Sequence, residues 1–192
     1  MKKGKLFIIS APSGTGKTTL INAFLQRYGH SFDIKRVITY TTRPARIGEV
    51  EGKDYHFISP DVFKEMIGKQ QFLEWSCWYD YYYGSPIGIL DAITRGHSYF
   101  LVIDRPGALE ASKAYPEAVL IWIEPPSLKE LERRLILRDT DTAATIASRI
   151  RKAHVEMEQE LVERRYHYTI INEDIDESLV QLVGIVSNTL DT

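Results

Sequence analysis

A single cysteine, Cys77, stands in the 192 residues of the chain. One thiol excludes an intramolecular disulfide framework, and a small packed side chain in a reducing compartment is the expectation for it. The chain also lacks an excess of charge of either sign. Its 24 Lys and Arg face 26 Asp and Glu, for a net charge of −2 with histidine neutral. No global positive field therefore draws it to a nucleic acid polymer, and its basic residues matter through placement. Long apolar runs are missing too: Leu6 to Ile9 follows Lys2, Lys3 and Lys5 and is too short for a signal-peptide core or a membrane span. These absences lead to the expectation of a cytoplasmic protein with no membrane partner. Neither an internal repeat nor a low-complexity segment is present. With 44% hydrophobic and 26% charged residues, the composition is that of a globular chain, of a length suiting one domain with inserted subdomains.

What is present begins at Lys5 to Leu20, KLFIISAPSGTGKTTL. Leu6, Phe7, Ile8 and Ile9 have the length and β-branched character of a buried strand. Ala11, Pro12, Ser13, Gly14, Thr15, Gly16, Lys17 and Thr18 follow, and then an apolar pattern of helical period through Leu20, Ile21, Phe24 and Leu25. Strand, glycine loop and helix start form the context of a phosphate-binding loop, whose backbone N–H groups and helix dipole favour an anion. Lys17 would reach the β- and γ-phosphates, and the Thr18 hydroxyl would sit on Mg²⁺. The consensus opens on glycine where this chain has Ala11. That position turns the chain, whereas Gly14 and Gly16 supply the permissive backbone near the phosphates.

Further along, the pattern predicts a strand over 35–40, a short run at 55–58 and a helix over 62–68 started by Ser59-Pro60-Asp61. It predicts strands over 72–78 and 81–83, and then a helix opened by Gly84-Ser85-Pro86 and running to about Arg95. Strands at 99–103, 119–123 and 168–171 alternate with helices at about 107–115, over 128–165 with a break near 139–141, and from Glu173 onward. The alternation implies an α/β fold with a parallel sheet covered by helices. The stretch from 36 to about 85 is β-rich and aromatic, and reads as an insertion into that core.

Arg43 and Arg46 lie beside Thr39, Thr41 and Thr42 in a loop punctuated by proline and glycine. Two guanidiniums there make a planar, permanently charged clamp suited to a second phosphate, the alternative being a solvated surface pair. Strand alternation places Glu74 on the face of Phe72, opposite Leu73 and Trp75, as a carboxylate able to accept paired N–H donors from a base.

The set TTRPARIGEVEGKDYHFIS, FLEW and YYYGSP, downstream of SAPSGTGKTTL, resembles the guanylate kinase family from Lys5 to about Asp176. The resemblance implies a P-loop NTPase core at about 1–35, 86–125 and 166–192, a β-rich GMP-binding insertion at about 36–85, and a helical lid at about 126–165. It implies ATP as the phosphoryl donor bound by Ala11 to Thr19 and Arg134, with Asn172 in the region flanking the adenine, and Mg²⁺ held at Thr18. Arg43, Arg46, Tyr55 and Tyr83 match positions that hold the GMP phosphate. Glu74, Ser85 and Asp104 match those that read guanine, and Thr39 matches a base contact usually made by Ser. Arg134, Arg138 and Arg149 match lid and adjacent arginines that, with Lys17 and Arg43, stabilise the transferring phosphoryl group. Arg138 and Arg149 lie about three helical turns apart, so one continuous helix would align them, and an intervening loop would also let them converge. Without the rest of the pattern they read as a solvated helix face paired with Glu130, Glu132 or Asp139. The resemblance implies a monomer or small homo-oligomer.

Three departures accompany it. Where the family commonly has Asp-Ile-Asp this chain has Val102-Ile103-Asp104, and where it has an aromatic or aliphatic residue and then Gln it has Arg105-Pro106. A Gly-Asn turn is replaced by Asp80-Tyr81. They keep open a related P-loop kinase with a different phosphorylated acceptor. A catalytically silent binding module is the alternative outside enzymes, although Gly16-Lys17-Thr18 persists.

Overall fold

The computed structural model describes residues 2–78, 80–137 and 142–191, with Trp78 described for its backbone alone. Five strands form an all-parallel sheet: β1 (Leu6–Ser10), β2 (Ile34–Arg36), β7 (Ser98–Val102), β8 (Val119–Glu124) and β9 (Tyr168–Ile171), in the order β2-β7-β1-β8-β9. Every residue of β1 is buried, because successive side chains of a strand covered on both faces enter two cores. Phe7 and Ile9 pack with Leu20 and Phe24 of α1 (Lys17–Tyr28) and with Leu182 and Val186 of α7 (Ile175–Asp191). Leu6 and Ile8 pack with Ile93 of α3 (Ile89–Thr94) and with Ala108 and Ala111 of α4 (Arg105–Ala114). The α/β expectation is borne out, and β1 sits mid-sheet, so its carboxyl end opens where ligands bind in such sheets.

A second sheet contains β3 (Tyr40–Thr41), β4 (His56–Phe57), β5 (Phe72–Trp78) and β6 (Tyr81–Pro86), ordered β4-β3-β6-β5. Helix α2 (Pro60–Gly68) covers it through Phe63, whose ring stacks 4.4 Å from Phe72 and 5.2 Å from Tyr82. Ser59 caps that helix by accepting from the Val62 N–H, as its sequence signal predicts. Helices α5 (Leu128–Leu137) and α6 (Ala143–Glu163) pack together through Leu131, Leu135 and Ala153. The expected break near 139–141 lies outside the described residues.

Three local expectations are corrected. The single strand at 35–40 is two strands in different sheets: Val37 N–H still donates to Phe100 O in the main sheet, whereas Thr39 O already accepts from His56 N–H in the second. Gly84-Ser85-Pro86 does not open a helix, because its backbone continues the β5–β6 ladder, with Ser85 opposite Glu74 and Pro86 opposite Phe72. A register shift between Phe72 and Glu74 also breaks the assumed alternation. Phe72 stacks toward α2, but Leu73 joins the core with Ala108 and Glu74 turns toward Gly107 at the start of α4. The Asp80-Tyr81 departure keeps its turn, since Asp80 takes a left-handed φ of 66° that Asp tolerates better than most residues.

Candidate active site

Gly16 caps α1 at φ 89° with no side-chain cap, and the first turn carries no acidic residue. The N–H groups and dipole of that helix end are thus left for an anion. Gly14 (φ 100°) and Gly16 require glycine on a second ground: a Cβ at Gly16 would lie 2.6 Å from Asn172 Nδ2, and one at Gly14 2.9 Å from Leu131 Cδ1. The loop is braced from beneath. Asn172 Nδ2 donates to Thr15 O at 2.6 Å, and Thr15 Oγ1 donates to Pro12 O at 3.0 Å. Lys17 Nζ points at the Ala11 and Ile103 carbonyls at 3.4 and 3.3 Å. Burial lowers its pKa, and the nearby Asp104 and Glu156 carboxylates oppose that shift.

Ala11 to Thr19 line one wall of a cleft of about 1160 Å³. Its other walls hold Thr39, Arg43, Arg46 and Tyr55 from the segments flanking β3 and β4, Glu74 and Tyr83 from β5 and β6, Asp104 from the N-cap of α4, and Arg149 from α6. Residues far apart in sequence are therefore brought together. Ser85 does not line the cleft; its hydroxyl donates to Glu74 Oε1. Arg134 and Asn172 border a second pocket of about 350 Å³ with Gly14, Gly16, Thr19 and Ile175. Arg134 donates to the carbonyls of Asn172 at 2.9 Å and Glu173 at 3.3 Å, which ties α5 to the strand end beside the loop. Arg138 lies outside the described residues.

Charge is distributed unevenly across the cleft. Glu74, 7% exposed, has its pKa raised to about 7 by burial with a contribution from Asp104, while Ser85 works against the rise. Asp104 also caps α4, accepting from Gly107 N–H at 3.0 Å. Arg43 is buried and forked onto Glu49 at 2.8 and 2.9 Å, and its guanidinium lies 5.6 Å from the Tyr55 ring centre. Sequence reasoning missed Glu49, and it missed Lys152 and Glu156, which join Arg149 on the cleft wall. For Lys152 and Glu156, three and seven residues after Arg149 on one helix, that spacing was the available signal.

A glycine loop opening a helix, facing an arginine- and tyrosine-lined sheet across one cleft, defines a P-loop phosphotransferase for small phosphorylated acceptors. Comparison with known proteins narrows the class. The family model described as guanylate kinase matches residues 3–189. A guanylate kinase of Protochlamydia amoebophila is 44% identical over 186 residues, covering 96% of this chain and 91% of the relative. One of Caldanaerobacter subterraneus subsp. tengcongensis is 39% identical over 186 residues, covering 96% and 87%. The crystal structure of guanylate kinase from Anaplasma phagocytophilum superimposes with a TM-score of 0.79 at 30% identity, covering 99% of this chain and 88% of that one. The chain belongs to the guanylate kinase family.

Proposed function

We infer that the chain transfers the γ-phosphoryl group of ATP to GMP or dGMP, giving ADP and the guanosine diphosphate. The observation that carries this reading is the pair of carboxylates, Glu74 and Asp104, which share one cleft with the glycine loop and the cations Arg43, Arg46 and Arg149 and would both meet a Cβ on Gly107 at 3.0 Å. Guanine offers its ring N–H and amino group as adjacent donors, and two carboxylates accept them. The other common bases present an acceptor where guanine has one of those donors. Thr39 and Ser85 support this end, Ser85 by orienting Glu74. The GMP phosphate goes to Arg43, Arg46, Tyr55 and Tyr83.

At the donor end, the triphosphate lies on Ala11 to Thr19, with Lys17 on the phosphates. The adenine occupies the smaller pocket, against the guanidinium plane of Arg134 and beside Asn172. Mg²⁺ fits the donor set. Thr18 offers a hydroxyl in the cleft, and Asp104 and Glu156 are carboxylates of the same cleft that act on the adjacent Lys17. No cluster of three or more His, Cys, Asp or Glu gathers among the described residues, as suits a cation held mainly by substrate phosphates and water. When bound it neutralises phosphate charge. Lys17, Arg43 and Arg149, with Arg138 assigned from sequence, supply positive charge around the transferring group, which phosphoryl transfer requires more than an acid or base.

The division into a core, an insertion at about 36–85 and a lid at about 126–165 belongs to the same reading. The separate sheet of β3 to β6 and the α5–α6 pair support it. No observation favours a different acceptor, because Arg105 and Pro106 do not line the cleft. Among the described residues no helix is long and apolar enough to cross a membrane. Replacing Glu74 with Ala tests the assignment: KM for GMP should rise far more than KM for ATP, and equal losses would contradict it.

A further inference from the structure

Arg105 departs from the family pattern, and the structure gives it a place outside the cleft. It is the first residue of α4, directly after Asp104, and is 6% exposed. A cation at the start of a helix opposes the helix dipole, and a buried cation needs counter-charges. Both come from α6: Arg105 Nη2 lies 3.0 Å from Glu163 Oε2 and 3.4 Å from Glu160 Oε2, and Nη1 lies 3.4 Å from Gln159 Oε1. Glu160 spends its other oxygen on the Tyr166 N–H at 3.0 Å, just before β9. The far end of α6 is therefore fastened to α4 and to the sheet by directional polar contacts.

The near end of α6 reaches the cleft. Arg149, Lys152, Glu156, Glu160 and Glu163 succeed one another at helical spacings of three and four, so they share one face. The first three line the cleft and the last two grip Arg105. About 16 Å of helix separates Arg149 from Glu160. Met157 packs against the core between these regions, and an apolar contact of that kind tolerates rotation and sliding. A guanidinium that donates from one nitrogen to two carboxylates and from the other to an amide oxygen does not.

We propose that Arg105 is a positioning residue for phosphoryl transfer: by fixing the rotation of α6 against α4, it holds Arg149 at the phosphates while Asp104, its neighbour, stays at the base. Arg105 touches neither substrate, so its effect passes through Arg149. The proposal rests on the GMP kinase reading above.

The test is a double-mutant cycle on purified full-length protein, measuring kcat, KM for both nucleotides and the melting temperature. Arg105→Met should lower kcat about tenfold, since small misplacements of a reacting constellation are costly, and should leave KM for ATP within about twofold. In an Arg149→Ala background the same substitution should cost less than about twofold, because the residue it positions is gone. Arg105→Lys, which keeps the charge but not the fork, should recover part of the loss. Glu163→Gln weakens the closer contact from a half-exposed position, and should lower kcat about threefold even if Arg105→Met fails to fold. Lowered melting temperatures with unchanged kcat, or equal fold-losses in both Arg149 backgrounds, would overturn the proposal. An active wild type with unaffected variants rejects this role alone, whereas a wild type that leaves GMP untouched rejects the activity beneath it.

Discussion

Glu74 makes the use of GMP depend on pH in a way that the use of ATP does not. Its carboxyl is raised from an ordinary 4.5 to about 7 by burial, with Asp104 adding to the rise. Guanine presents donors, so GMP binds the ionised form, and the apparent affinity is reduced by the fraction of protein that is ionised. That fraction is about one tenth at pH 6 and about nine tenths at pH 8, so kcat/KM for GMP should climb roughly tenfold between them. The second ionisation of a phosphate monoester falls near 6 and contributes its own slope. Glu74→Gln separates the two, because the amide cannot ionise while the phosphate still does. The variant should lose about 10- to 100-fold in kcat/KM for GMP at pH 8, from a charge-assisted hydrogen bond worth about 1.5–3 kcal/mol. Its remaining profile should be shallower than that of the wild type. Stability should move the opposite way. A folded-state pKa above the unfolded value gives the free wild type its relative advantage below pH 4.5, and that advantage is lost as pH rises through about 7. At pH 8 the loss amounts to about 2–4 kcal/mol, so Glu74→Gln should melt above the wild type there and together with it near pH 4.5. Superimposable pH profiles of the two proteins for GMP, or a variant no more stable at pH 8, would rule out this role for Glu74.

Gly107→Ala would place a Cβ 3.0 Å from both Asp104 Oδ1 and Glu74 Oε2. It should raise KM for GMP by about an order of magnitude while leaving ATP binding unchanged, read by steady-state kinetics with each nucleotide varied. Lys17→Met should lower kcat by roughly 10²–10³-fold, the usual cost of removing one group that stabilises transition-state charge. Because burial disfavours the charged lysine, the same variant should melt no lower than the wild type at pH 7, measured by calorimetry.

The donor end was legible in the sequence because every part of it is local. The strand, the glycines with positive φ and the helix start all lie between Lys5 and Leu20, and their order alone implies the geometry. The central sheet was legible for a related reason: strands buried on both faces read as unbroken apolar runs, as in Leu6 to Ile9 and Tyr99 to Ile103. The insertion was harder. Whether Lys35 to Tyr40 is one strand or two depends on which partners receive its backbone groups, and those partners, Phe100 and His56, lie elsewhere in the chain. The aim of Glu74 depends on a register shift against β6, which period-2 alternation cannot reveal. Gly84-Ser85-Pro86 carries helix-start chemistry that the β5–β6 ladder overrides. Lys152 and Glu156 had only their helical spacing from Arg149 as a signal and took on meaning when the cleft assembled around them, and Glu49 took on meaning through its contact with Arg43. Arg105 read as a weakening of the guanine end, but its side chain turns away from the cleft to Glu160 and Glu163.

The cleft is read as holding ATP and GMP together for direct transfer. A coupled assay of the purified protein with Mg²⁺ and ATP, offering GMP, AMP, CMP and UMP in turn, tests it most directly. Rapid formation of ADP and guanosine diphosphate is expected with GMP, and little turnover with the other three. Turnover that ignores GMP, or that treats AMP as its equal, would contradict it.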